Sequence, residues 1–96
     1  MANITHVPKC KDLQKLPELV ELLTITMEEC AEVQQGCAKV MRFGTNTNKF
    51  HLQKEIADLL VMIDLLNEYD IIDLNNLETH KEQKRNKLKI FSNLNI

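Results

Sequence analysis

An all-α fold, an antiparallel helical bundle, is predicted by three features of the chain. Only two Gly, two Pro and four aromatic residues occur among 96. Leu, Ile, Glu and Lys are abundant, a composition that suits helices better than strands. The apolar residues recur at steps of three and four rather than two, the period of one helical face.

Three helices follow in order. The first begins near Pro17, since a proline in the first turn loses no needed N–H. Leu19, Leu22, Leu23, Thr26, Cys30, Val33, Cys37 and Val40 share its apolar face. It ends at `RFGTNTN`, where Gly44 supplies a left-handed cap and the polar run a turn. Gly36, inside this helix, costs about 1 kcal/mol relative to Ala; the expected return is close approach of a neighbouring helix or ligand. The second helix starts after Thr47 or Asn48 as N-cap and runs to about Tyr69. Leu52, Ile56, Leu59, Leu60, Ile63 and Leu66 cover much of its circumference, which predicts the central, most buried helix. Asp73 is the expected N-cap of the third, whose stripe of Leu77, Lys81, Lys84, Leu88 and Phe91 is apolar at its ends and basic in the middle.

At this length the chain is one domain, read as residues 12–96 behind a loosely ordered arm over 1–11, with no internal repeat. A single core this small gives a modest stability margin, which favours oligomerisation or ligand binding. No run is apolar enough to span a bilayer and `MANITHVPKCKD` lacks a signal core, so no membrane partner and a cytoplasmic location are expected. Cys10, Cys30 and Cys37 have no CxxC spacing, and Cys30 and Cys37 lie about 10 Å apart along one helix, too far to bridge. Reduced thiols are expected, and no zinc site is suggested by the spacing of His6, His51 and His80.

The net charge of -2 gives no reason to expect nucleic acid. Its distribution is uneven: residues 12–32 hold six acids and one Lys, residues 81–89 five bases and one acid. Within the acidic half, `TMEECAEVQQG` sets Glu29 and Glu32 at a three-residue step, with Glu28 beside them, and `LQKEIADLL` sets Glu55 and Asp58 at the same step. Residues at i and i+3 share a helix face. Counting the rise from the loop in each direction puts both pairs at nearly the same height, so four carboxylates are predicted to converge. Such a group repels itself and loses hydration unless a cation compensates. Mg²⁺, with Mn²⁺ as a substitute, prefers an all-oxygen set of this kind, and the basic third helix complements it as a holder of phosphate oxygens. The competing reading is a solvated acidic face.

`EECAEVQQGCAKVMRFG`, `LQKEIADLLVMIDLL` and `KEQKRNKL` together resemble the MazG-like all-α nucleoside triphosphate pyrophosphohydrolases, in the short single-domain form found in phages and bacteria. The likeness rests on an EExxE…ExxD pattern and spans most of residues 18–90. It implies conversion of an NTP or dNTP to the monophosphate and pyrophosphate, in nucleotide-pool control or housecleaning, by an activated water attacking in line. It also implies a homodimer or homotetramer that completes the bundle, in the host cytoplasm if a phage encodes the chain. On this resemblance Glu29, Glu32, Glu55 and Asp58 are metal ligands and Glu28 an adjacent carboxylate. Glu29 and Glu32 are the catalytic candidates, with Glu32 chosen as general base. Lys39 and Arg42 of `KVMRFG`, with Lys81, Lys84 and Arg85, are the phosphate or nucleotide contacts; the other reading of Lys39 is surface solubility. Relatives often carry Lys-x-x-x-Asn in the last helix, where this chain has Arg85 and then Asn86. One non-enzymatic alternative is a small helical interaction module whose basic last helix binds nucleic acid or a partner, sensitive to salt and indifferent to divalent metal; another is a nucleotide-binding module that keeps the metal site without turnover.

Overall fold

The computed structural model describes residues 16–96. They form α1 (Leu16–Phe43), α2 (Asn48–Glu68), one 3-10 turn (Leu74–Asn76) and α3 (Leu77–Phe91), with no strand among the described residues. The arm expected over 1–11, with His6 and Cys10, lies outside them. Cys30 and Cys37 are free thiols.

The first connection closes as its residues dictate. Gly44 takes φ 84°, and its N–H reaches the Val40 carbonyl at 2.9 Å, satisfying an end group of α1. Asn48 donates its side-chain amide to the Gly44 carbonyl at 3.0 Å, tying the start of α2 to the end of α1. Thr47 holds the N-cap position but keeps a helical backbone and makes no capping bond. At the far end of α2, Asp70 adopts φ 61° where glycine is usual. The Asp70 N–H bonds the Asn67 carbonyl and the Ile71 N–H the Leu66 carbonyl, both at 2.9 Å, which is the paired closure of a Schellman motif.

Asp73 does not cap α3 as expected. Its carboxylate accepts from the Asn75 N–H at 3.0 Å and so caps the short 3-10 turn, delaying α3 to Leu77 behind Asn76. Asn67 accepts the Leu74 N–H at 3.0 Å and holds this turn against α2.

α1 and α2 pack as an antiparallel hairpin: Gly36 meets Leu52, Glu29 meets Glu55 and Asp58, and Glu18 meets Tyr69. Their contact follows a 3-4 alternation on both helices. On α1 it runs through Leu19, Leu22, Thr26, Glu29, Val33, Gly36 and Val40, and on α2 through Asn48, Leu52, Glu55, Leu59, Met62, Leu66 and Tyr69. Every one of these positions is buried or half-buried, as the seam of a two-stranded coiled coil requires.

α2 keeps a larger share of its residues from full exposure than α1 or α3, as expected, yet it is only partly covered. Among the described residues the buried apolar side chains are Leu19 and Leu22 of α1 and Met62 of α2. The reason is α3, which packs on the 3-10 turn before it and contacts the hairpin marginally at most, so α2 has a full neighbour on one side alone. The radius of gyration of 16.7 Å, against about 12 Å for a compact domain of this length, expresses the same opening. The described residues are therefore all-helical, and among them closure into a bundle is not seen within one copy.

Candidate functional site

Two seam positions of the hairpin carry carboxylates where the pattern calls for apolar side chains: Glu29 on α1 and Glu55 on α2. Asp58 sits one step off the seam and one turn beyond Glu55. One oxygen from each of Glu29, Glu55 and Asp58 lies within 4.8 Å of the others, and all three residues are half-buried.

The local fold explains how these groups come so close. Gly36, two turns along α1 from Glu29, lets the helices approach: a Cβ there would stand 3.1 Å from Leu52 Cδ1 and 3.9 Å from Glu55 Cγ. The close approach foreseen for Gly36 is to a helix. On the other side of Glu29, the Thr26 hydroxyl donates to the Leu22 carbonyl at 2.8 Å and so offers Glu29 nothing.

The electrostatics match the crowding. Glu29 Oε2 is shut off from solvent and has no hydrogen-bond partner among the described residues. Burial pushes the Glu29 carboxyl above the ordinary carboxylate range, and the charges of Asp58, Glu55 and Glu32 add to the rise, opposed by Lys54. Lys54 pairs with Asp58 at 3.5 Å across an exposed helix surface, where such a pair contributes little. Among the described residues, the cluster thus holds excess negative charge that Lys54 alone opposes.

The remaining candidates fall around it. Glu32 is exposed and outside the three-oxygen convergence, yet its charge reaches Glu29. Glu28 is exposed. Lys39 is exposed, and Arg42 lies over the Phe43 ring, 5.1 Å from its centroid. On α3, Lys81 pairs with Glu78 at 3.0 Å, and Lys84 and Arg85 are exposed. Among the described residues, no hydrogen bond or ion pair joins Lys39, Arg42, Lys81, Lys84 or Arg85 to the cluster.

A cleft of about 330 Å³ lies further toward the open end of the hairpin, with a floor of Leu22, Ile25, Met62 and Leu65 and a rim of Glu18, Glu21 and Tyr69. The Tyr69 hydroxyl donates to Glu18 across its mouth. Sequence reasoning did not find it, because Glu18 and Tyr69 meet only once the hairpin register is set.

Comparison with family models, curated proteins and solved structures finds no match for this chain. Among the described residues, no helix is long and apolar enough to cross a membrane.

Proposed function

We propose that the chain is a MazG-like, metal-dependent nucleoside triphosphate pyrophosphohydrolase, converting (d)NTP to (d)NMP and pyrophosphate as a homodimer or homotetramer. The observation that carries this reading is the orphaned Glu29 oxygen inside a convergence of Glu29, Glu55 and Asp58. A buried carboxylate oxygen without a donor is costly, and an all-carboxylate donor set suits a hard divalent cation such as Mg²⁺ or Mn²⁺.

In this reading Glu29, Glu55 and Asp58, with Glu32 at their edge, hold Mg²⁺. An ion held there would supply charge neutralisation for a polyphosphate and would make a water more acidic. Glu32, outside the tight convergence and open to solvent, accepts a proton from the attacking water; Glu28 adds negative charge beside it. Lys39 and Arg42, toward the hairpin loop, and Lys81, Lys84 and Arg85 on α3 bind phosphate oxygens as charge-assisted donors.

The test is product analysis with purified protein and a panel of NTPs and dNTPs, dUTP included. Monophosphate and pyrophosphate appearing with Mg²⁺ and absent with EDTA is the expected result. Orthophosphate as the product, or no turnover of any nucleotide, overturns the reading and directs attention to α3 as a binding helix.

A further inference from the structure

We propose that the cleft beside the carboxylate cluster takes the base of the nucleotide, and that its rim of Glu18, Glu21 and Tyr69 selects bases carrying an amino group, guanine first, over uracil and thymine. This rests on the nucleotide reading above and supplies the base choice that the resemblance leaves open.

The position of the cleft follows from the seam. A residue one step before a seam position lies about 100° round its helix from it. Because α1 and α2 run in opposite directions, the two before-seam stripes point to one side of the hairpin. Glu18, Glu21 and Glu32 of α1 fall there with Asp58 and Leu65 of α2, and the cleft that joins Glu18 and Glu21 to Leu65 shows that they share this acidic side. The near end of the cleft, at Ile25 and Met62, lies one turn from Glu29 and Asp58, ~6 Å along each helix. Its far end, at Glu18 and Tyr69, lies two turns further on, ~10 Å. A nucleotide whose phosphates meet the cluster therefore lays its sugar at the near end and its base against the rim.

The lining of the cleft reads one kind of base. Its volume of about 330 Å³ is at the small end of ligand pockets, and Leu22, Ile25, Met62 and Leu65 give an apolar floor for a flat ring. The rim accepts hydrogen bonds and has no proton to spare. The Tyr69 hydroxyl donates to Glu18 Oε1, and that bond pushes it above the ordinary phenol range, so it stays protonated and committed. Glu18 Oε2 and the Glu21 carboxylate remain as acceptors, and no Lys, Arg or His lines the cleft among the described residues. Guanine presents two adjacent donors, a ring N–H and an amino group, which one carboxylate can take together. Adenine and cytosine each present an amino group, and a carboxylate accepting from the cytosine amine is a standard base contact. Uracil and thymine present one N–H between two carbonyls and so set oxygen against oxygen. A site built to pair with an N–H group rejects a ring that leaves its polar atoms unpaired.

Steady-state turnover by the full chain with Mg²⁺ tests this on dGTP, dATP, dCTP, dTTP and dUTP. kcat/KM should favour each amino-bearing nucleotide over dTTP and dUTP by roughly tenfold or more, with dGTP highest. Glu18→Gln and Glu21→Gln keep the shape of exposed side chains but add an N–H donor. Each should narrow the preference for dGTP over dUTP, chiefly through KM, and the double variant should narrow it by roughly tenfold or more and use dUTP better than the wild type does. No turnover of any nucleotide overturns the nucleotide reading and this pocket with it. Turnover that favours dTTP or dUTP in the wild type overturns the pocket alone. So does a base preference that the double variant leaves unchanged, or an equal loss on all five nucleotides, the mark of a structural role.

Discussion

Gly36 fixes how closely α1 and α2 approach beside Glu55, so graded enlargement of this residue tests the hairpin that positions the cluster. An added Cβ would meet Leu52 Cδ1 at 3.1 Å, a few tenths of an ångström inside the ~3.5 Å optimum for carbon pairs. Leu52 is half-buried, so its terminal methyl can yield at a rotamer cost of about 0.5–1.5 kcal/mol. Replacing a mid-helix Gly returns about 1 kcal/mol of helix propensity. The two nearly cancel, and Gly36→Ala should change stability by no more than about 0.5 kcal/mol in either direction. Gly36→Val is different in kind. Its γ-carbons reach ~1.5 Å further, toward Leu52 Cα at 3.6 Å and Glu55 Cγ at 3.9 Å from the Cβ position. A backbone atom cannot turn aside, so the helices must separate, at a cost of about 1–3 kcal/mol for overpacking. Urea denaturation followed by circular dichroism measures both variants. A Gly36→Val protein as stable as Gly36→Ala would show that the helices do not approach at this level, and the account of the cluster's assembly would fail.

Other consequences concern the carboxylates and their surroundings. Glu29→Ala, Glu55→Ala and Asp58→Ala should each abolish Mg²⁺-dependent turnover, by at least a hundredfold, while helical content persists. Full activity in any two of them removes the site assignment. Because the folded state raises the Glu29 pKa, it holds that proton more tightly than the unfolded chain does. Metal-free protein should therefore lose stability as pH rises from the ordinary carboxylate value through the raised Glu29 value. Thermal melts in EDTA should show this fall, and Glu29→Gln should flatten it; an identical pH profile in the variant contradicts the assignment. Lys81→Ala should raise KM with little change in kcat, and an unchanged KM takes Lys81 out of the nucleotide site.

The hairpin and the height of its carboxylates were readable because both depend on local quantities. A short loop, a Gly44 cap and a fixed rise per residue bring Glu29 level with Glu55 and Asp58 without knowledge of packing. Glu32, spaced to join them, stays at the margin because the 3-4 seam carries Glu29 inward and turns Glu32 to the acidic side. The place of α3 was not readable. Lys81 and Lys84 between Leu77 and Leu88 mark an amphipathic helix but do not say which neighbour it covers. Asp73 was misassigned for a related reason: the same side chain caps either an α-helix or a 3-10 turn, and the choice is made by Asn67 holding Leu74 against α2. α2 is the best shielded of the three helices, as its wide apolar coverage predicts, but that coverage exceeds what its neighbours within the chain bury. Ile56 and Leu60 lie exposed in one copy, so that coverage measures total apolar surface and not what a single copy buries.

The central claim is that the carboxylates on the hairpin seam hold a divalent cation, and Mn²⁺ binding followed by electron paramagnetic resonance tests it without reference to turnover. The wild type should take up Mn²⁺ stoichiometrically and lose it to excess Mg²⁺, and the Glu29→Gln, Glu55→Gln, Asp58→Asn triple variant should bind none. Equal binding by both proteins, or no binding by the wild type at millimolar metal, would contradict the account.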